Sequence, residues 1–215
     1  MSAGEILYTV RNSRIAAPTG DFLGKTLETG DYYESSLLAE LANHVDGGVV
    51  IDVGACIGNH AAFFAGEADA AKVIAIEPNP EAYRFLERTV TLSGRSSTVE
   101  CVHAAVHHEW ASVNVTASCE PGNLGMATVS EGGPVPVVRL DDYADTERVR
   151  VVKVDTEGFS ADVLRSGLGL LAKHRPVVSA EANGAAESED LASVLEPIGY
   201  RMVREFGANQ VWVPV

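Results

Sequence analysis

Residues 49–60 read VVIDVGACIGNH, and this stretch decides the fold class. Its first five residues are apolar apart from Asp52 and do not alternate, which is typical of a strand buried on both faces of a parallel sheet. Gly54 and Gly58 then allow a turn into a helix whose first backbone N–H groups are free to hold an anion. We therefore interpret the stretch as a strand, a ligand-binding turn and the start of a helix.

Strands and helices alternate from about residue 48 to the end of the chain. The last two strands, 200–206 and 210–215, have no helix between them and should pair as an antiparallel hairpin. This order predicts an α/β fold with a Rossmann-like, doubly wound, mostly parallel seven-stranded sheet that ends in that hairpin.

The middle of the chain is less regular than its flanks. We expect a third strand over 99–106 and extra β strands over 111–117 and 135–140. Between the extra strands, residues 120–133 are rich in glycine and read as a loop, for which a lid and a simple connection both remain open. Before the α/β region, residues 1–47 form an N-terminal cap segment with one amphipathic helix.

Composition excludes several broad classes of protein. The 215 residues carry 30 Asp and Glu against 16 Lys and Arg, and this net charge of −14 argues against nucleic-acid or anionic-membrane partners. There is no run of about 18 apolar residues and no apolar signal-like segment in the first 14. Three cysteines are an odd number for a disulfide framework, so we expect a cytoplasmic protein.

A second strand, 72–77, ends in Glu77 about 20 residues after Gly54, the spacing at which an acidic residue binds ribose hydroxyls. Pro78 could pack on a purine, and Asn79 suits a helix N-cap. The turn after the first strand lacks the Gly-x-Gly-x-x-Gly pattern that a pyrophosphate needs, so a smaller carboxylate fits it better. Asp52 could accept a hydrogen bond from an ammonium group, directly or through water.

Charged residues also follow the strand 149–154. Lys153, Asp155 and Glu157 should share one face because side chains alternate along a strand, and Glu181 ends the next strand. In a parallel sheet these positions border the ligand crevice, although an ion pair of Lys153 with one acid would also explain them.

These blocks, in this order, resemble the FkbM family of class I S-adenosylmethionine-dependent methyltransferases. The resemblance covers about residues 30–183. It rests on Tyr33-Glu34, on IDVGACIG at 51–58, on EPNP at 77–80, on RLDD at 139–142 and on KVDTEG at 153–158.

The resemblance implies methyl transfer from S-adenosylmethionine to a hydroxyl of a small molecule such as a sugar or natural-product scaffold. The catalytic domain would then be residues 48–215. The residues implied in cofactor binding are Glu34, Asp52, Gly54, Ala55, Gly58, Asn59, Glu77, Pro78, Asn79 and His103. For His103, contact with the adenine edge and a place on the surface are both open.

A base that takes the proton of the acceptor hydroxyl would assist the transfer. Asp155 or Glu157 could serve, beside Lys153, with His60 as a third candidate; alternatively, Asp155 and Glu181 could hold Mg²⁺ against the acceptor oxygen. Two other functions stay open at this point, a nicotinamide-dependent oxidoreductase and a non-catalytic cofactor-binding module.

Overall fold

A computed structural model describes residues 4–116 and 123–215. Its strands are β1 (Glu5–Val10), β2 (Ser13–Pro18), β3 (Val49–Val53), β4 (Lys72–Ile76), β5 (Val99–Val102), β6 (Ala105–Val106), β7 (Ser112–Thr116), β8 (Thr128–Glu131), β9 (Val135–Val138), β10 (Val149–Val154), β11 (Val177–Glu181), β12 (Tyr200–Phe206) and β13 (Asn209–Pro214). Its α-helices are α1 (Gly24–Leu27), α2 (Ser35–Val45), α3 (Asn59–Gly66), α4 (Pro80–Leu92), α5 (Ser160–Arg165), α6 (Leu168–His174) and α7 (Ala185–Leu195).

The central sheet has the strand order β12-β13-β11-β10-β3-β4-β5. From β11 to β5 all neighbours are parallel, whereas β13 is antiparallel to both β11 and β12. The expected α/β class is confirmed. The sheet is mixed, because β13 inserts between two strands that run in the opposite direction to it.

Helices cover both faces of this sheet, so its central strands are buried throughout. On one face, α2, α3 and α4 contribute Leu37, Phe64 and Leu86 to a core that also contains the hairpin β1–β2. On the other face, α5, α6 and α7 contribute apolar side chains such as Val163 and Leu171. Burial on both faces explains why β3 is a continuous apolar run rather than an alternating one.

The N-terminal hairpin is attached to this core. Thr89 Oγ1 on α4 accepts a 3.0 Å hydrogen bond from the Ala16 backbone N–H on β2. Strand β2 therefore packs on α4, a helix that also covers the central sheet. The division of the chain into a cap segment, 1–47, and a catalytic domain, 48–215, stays a prediction.

The predicted third strand, 99–106, is wrong as a single element. It divides where Ala104 N–H bonds back to the Val102 carbonyl at 3.2 Å, which turns the chain out of the central sheet. Strand β6 then joins a second sheet of order β6-β9-β7-β8. The extra middle strands that we expected are present in that second sheet.

The segment predicted as a glycine-rich loop over 120–133 is also more structured than expected. Within the described part, a 3₁₀ turn spans Leu124–Met126 and β8 pairs antiparallel with β7. Residues 117–122 lie outside the described residues, so the lid stays a prediction for this part.

Helix α4 begins as the sequence indicates. The Asn79 side chain accepts from the Glu81 backbone N–H at 3.0 Å, and Pro80 occupies the first helical position. Across the described ranges, the helices are too short or too polar for any of them to cross a membrane.

Candidate active site

Two adjoining cavities lie at the carboxyl ends of β3, β4, β10 and β11. The main cavity, about 350 Å³, lies between the turn after β3 and the N-terminal segment, and its walls include Tyr33, Glu34, Ala55, His60 and Glu181. The apolar recess extends toward the second sheet and is lined by Pro78, Ala104, Trp110, Val113, Leu124 and Phe159. The two share Gly54, Glu77, Gly125, Asp155 and Glu157. This is the crevice in which open α/β sheets bind ligands.

The glycine turn after β3 is required by backbone packing. Gly54 has φ +79°, and a Cβ at this position would run into the carbonyl oxygen of Asp155. Gly58 has φ +85° and precedes α3, where a Cβ would press on Leu86 and Thr89. Gly54 therefore brings the ends of β3 and β10 together at the wall of both cavities, while Gly58 packs α3 against α4.

Glu77 is buried at the end of β4 and faces the turn. Its carboxylate accepts backbone N–H bonds from Cys56 and Asn79, both at 2.8 Å. Burial raises the pKa of Glu77 to about 7, although these two hydrogen bonds oppose the shift. Each oxygen keeps a second lone pair, so the carboxylate can still accept from a ligand hydroxyl at the cavity wall.

Asn59 connects the N-terminal segment to the turn. Its Oδ1 accepts from the Tyr33 backbone N–H at 3.1 Å, and its Nδ2 donates to the Tyr33 carbonyl at 3.2 Å. This two-point contact sets Tyr33 and Glu34 over the glycine turn. Asn59 thus borders the main cavity and also fixes one of its walls.

Asn79 and His103 have structural contacts behind the recess. Asn79 caps α4, and its Nδ2 donates to the Leu124 carbonyl at 3.3 Å. His103 Nε2 donates to the Pro78 carbonyl at 3.1 Å, and its ring stacks on Tyr83. Ala104, one residue after His103, lines the recess together with Pro78, whereas His103 itself does not line it.

Lys153 and Asp52 form a fully buried ion pair below the main cavity. Lys153 Nζ lies 3.8 Å from Asp52 Oδ1 and 3.0 Å from Asp155 Oδ2. Burial lowers the pKa of Lys153, but the carboxylates of Asp155 and Asp52 outweigh it, so the net shift is upward. Burial raises the pKa of Asp52, with Lys153 opposing. The ammonium group that Asp52 approaches is therefore the protein's own.

Asp155 and Glu181 both line the main cavity. Burial would raise the pKa of Asp155, but Lys153 and His60 lower it overall. Burial, with the nearby Asp155 and Glu157 carboxylates, raises the pKa of Glu181 to about 7. Of these two carboxyl groups, Glu181 is therefore the one that exchanges a proton near neutral pH, whereas Asp155 stays ionised.

Glu34 and His60 meet on the opposite wall. Glu34 Oε2 lies 3.3 Å from His60 Nε2, and Glu34 Oε1 accepts from Asn209 Nδ2 at 2.7 Å. Glu34 is the residue before α2 and has a left-handed backbone conformation, with φ +58°.

The structure brings most of the predicted site residues to the cavity walls. These are Glu34, Gly54, Ala55, Asn59, His60, Glu77, Pro78, Asp155, Glu157 and Glu181. The others lie behind the walls and support them, namely Asp52, Gly58, Asn79, His103 and Lys153.

Sequence reasoning missed several residues of this site. Asp21 and Phe22 enter the main cavity from the N-terminal segment, and Trp110 and Phe159 enter the recess. The ring of Trp110 stacks on that of the buried His107, with 4.0 Å between the ring centroids. The signal available in the sequence was the presence of aromatic residues next to a predicted sheet edge. The residues that they contact lie on other segments of the chain, so the sequence alone did not place them in the site.

The suggested Mg²⁺ site at Asp155 and Glu181 finds no support. In the described part of the chain, the groups of three or more ligand atoms that lie within 4.8 Å of one another include Asp155 but not Glu181. Mg²⁺ requires several oxygen ligands in near-octahedral geometry, and these two carboxyl groups alone do not supply them.

Several solved structures share the fold of this chain. The solved structures similar to this chain include the methyltransferase FkbM from Methylobacillus flagellatus KT, with 16% identity and a TM-score of 0.52, over 76% of this chain and 42% of that one. TYW2 from M. jannaschii, solved in complex with AdoMet, has 15% identity and a TM-score of 0.52, over 99% of this chain and 85% of that one.

Precorrin 8w decarboxylase from Methanobacterium thermoautotrophicum has 15% identity and a TM-score of 0.51, over 84% of this chain and 88% of that one. At such identities the likeness shows a shared fold alone. This chain spans less than half the length of the M. flagellatus protein, and a comparison with curated proteins found no match. The methyltransferase FkbM domain, however, matches residues 52–202, well over half of the chain. The chain therefore belongs to the FkbM methyltransferase family.

Proposed function

We propose that this protein transfers a methyl group from S-adenosylmethionine to a hydroxyl oxygen of a small molecule, such as a sugar or natural-product scaffold. One observation carries the proposal. The glycine turn at Gly54 and the buried Glu77 form one wall of the main cavity, and Asp155 and Glu157 form the wall beside it. One cavity thus combines the residues expected of a nucleoside site with a set of proton acceptors.

The residues present fit the cofactor. Glu77 retains free lone pairs for ribose hydroxyls, and Pro78 and Ala104 offer apolar surface to a purine in the recess. The start of α3 and the N–H groups of the turn suit a carboxylate. When bound, S-adenosylmethionine supplies an electrophilic methyl group on a sulfonium.

The chain's own residues align the acceptor and take its proton. Alignment contributes most to a displacement of this kind. Two carboxyl groups of the main cavity, Glu77 and Glu181, have a pKa raised to about 7, which suits proton transfer near neutral pH. Because Glu77 is expected to hold the ribose, Glu181 is the one proposed to act on the acceptor. Asp155 is held by Lys153, and Glu157 and His60 border the same space.

The charge of the cavity disfavours an anionic acceptor. The acidic residues of its walls are Asp21, Glu34, Glu77, Asp155, Glu157 and Glu181. Together with the net charge of −14, these walls disfavour nucleic acid and anionic membranes as partners. Cys56 and Cys101 are unpaired in the described part of the chain, which supports a reducing, cytoplasmic location.

A nicotinamide-dependent oxidoreductase is the weaker alternative. Ala55 and Cys56 stand where a dinucleotide turn needs glycine, and the family match favours methyl transfer. A non-catalytic cofactor-binding module would not require the carboxyl groups of Asp155 and Glu181 in its cavity.

A thermal-shift experiment separates these functions. S-adenosylhomocysteine at about 100 times its Kd should stabilise the protein by about 2.7 kcal/mol, or about 5–10 °C for a chain of this size, and NAD should not. The transfer itself is tested with labelled S-adenosylmethionine and a panel of hydroxyl acceptors. Asp155→Asn should bind cofactor but lose turnover, whereas the exposed control Asp145→Asn should retain both. Stabilisation by NAD alone, or full activity of Asp155→Asn, would reject the proposal.

A further inference from the structure

Three side chains from distant segments converge on one wall of the main cavity. Glu34 precedes α2, His60 lies in the first turn of α3, and Asp155 follows β10. Each offers one ligand atom, and these atoms all lie within 4.8 Å of one another. Such a set is close enough to share one bound ion.

The polar atoms of this group lack ordinary partners. His60 is only 7% exposed, yet its Nε2 has no hydrogen-bond partner among the described residues, and the same holds for Glu34 Oε2. These two atoms face each other at 3.3 Å. A buried imidazole nitrogen and a buried carboxylate oxygen at this separation require a proton or a cation between them, because neither has another hydrogen-bond partner among the described residues.

We propose that Glu34, His60 and Asp155 bind a divalent transition-metal ion such as Zn²⁺. Two ligand atoms at about 2.0–2.1 Å from a tetrahedral centre lie about 3.3 Å apart, which is the Glu34–His60 separation. One imidazole with two carboxylates suits Zn²⁺, Fe²⁺ or Co²⁺ better than Mg²⁺, which prefers oxygen ligands. The open side of the site faces the main cavity and leaves a coordination position for water or an acceptor.

Outer contacts already hold the ligands, as they do in metal sites. Asn209 on β13 donates to Glu34 Oε1 at 2.7 Å, which leaves Oε2 directed at His60. Lys153 donates to Asp155 Oδ2 at 3.0 Å. Both carboxylates are therefore oriented before any ion binds, and Asn209 is a positioning residue for this site.

The local charge also favours a cation. Lys153 is the fully buried cation here, and it faces the carboxyl groups of Asp52, Asp155 and Glu34. A divalent ion would balance the surplus of negative charge. Binding of the ion does not depend on the proposed function, whereas its role does: on that function, an ion here would lower the pKa of a hydroxyl bound to it.

A second cluster serves as an internal control. His107, His108 and Asp162 also lie close together, outside the main cavity. It differs from the first group in offering one carboxylate rather than two, and that carboxylate, Asp162, pairs with Arg165 at 3.0 Å. His107 Nδ1 accepts two backbone N–H bonds, whereas His108 Nδ1 has no hydrogen-bond partner among the described residues. We expect this cluster to remain free of metal.

The test is a titration of the chelator-treated full-length chain with Co²⁺, without cofactor or acceptor, followed by visible absorption and equilibrium dialysis. The wild type should bind one equivalent with the absorption of a four- or five-coordinate site. Glu34→Gln and His60→Gln should each lose this spectrum, and Asn209→Ala should bind about 10–100-fold more weakly. His108→Gln should bind like the wild type. Melting temperatures verify that each variant is folded.

The proposal is overturned if the wild type binds no Co²⁺, if Glu34→Gln binds as the wild type does, or if His108→Gln removes the bound ion. Should His60→Gln fail to fold, Glu34→Gln decides alone, since an amide preserves its size and its contact with Asn209. A failed S-adenosylhomocysteine shift with intact Co²⁺ binding would count against the proposed function only.

Discussion

Replacing Lys153 with Met tests whether the Lys153 ammonium stabilises the buried carboxylate of Asp52. The substitution keeps an unbranched side chain but removes the partner 3.8 Å from Asp52 Oδ1. Asp52 is fully buried, and neither of its oxygens has a hydrogen-bond partner among the described residues. Breaking a buried pair in this way costs about 3–5 kcal/mol, a large part of a total stability of about 5–15 kcal/mol. The melting temperature should fall by about 6–20 °C.

The loss should depend on pH with a defined sign. The pKa of Asp52 is already raised by burial, and without Lys153 it rises further. Such a carboxyl group has a higher pKa in the folded than in the unfolded state. It therefore destabilises the folded state more and more as the pH rises above the pKa of the group in the unfolded state. Urea unfolding at pH 5 and pH 8 should therefore show a smaller loss for Lys153→Met at pH 5.

A double variant supplies the control. Asp52→Asn in the Lys153→Met background removes the uncompensated charge and should recover most of the lost free energy of unfolding. A loss below about 1 kcal/mol in the single variant, or no recovery in the double one, would refute the view that Asp52 is ionised and held by Lys153.

Two further predictions concern the glycine turn and the ribose wall. Gly20→Ala should lower the free energy of unfolding by roughly 1 kcal/mol, and Gly54→Ala should lower it by well over that amount. Both glycines have positive φ, but only a Cβ on Gly54 would meet a neighbour, the Asp155 carbonyl. Equal losses in urea unfolding would contradict this. Glu77 accepts best when ionised, so S-adenosylhomocysteine affinity, measured by calorimetry, should rise as pH increases through about 7. Glu77→Gln should bind more weakly and lose that dependence, and an unchanged pH profile would count against Glu77 as the titrating group.

Local patterns determined much of this protein. The run at 49–60 predicts strand, turn and helix correctly because burial on both faces, glycine and helix-start chemistry all act over a few residues. The same holds for Asn79 as the cap of α4. The spacing of Glu77 and Asp155 after their strands also predicted their shared cavity, since parallel strands end at one edge of the sheet.

Contacts between distant segments were decided only by the tertiary structure. The strand predicted over 99–106 divides because β6 pairs with β9, which local hydrophobicity does not encode. Lys153, predicted beside the acceptor, lies beneath the cavity because its register places it against Asp52 on β3.

The wall formed by Glu34 and His60 shows the same limit most clearly. Its support, Asn209, lies 175 residues from Glu34 in the chain. Strand periodicity and turn chemistry report on neighbours in sequence, whereas this wall depends on which segments the fold brings together and on the direction in which each buried side chain points.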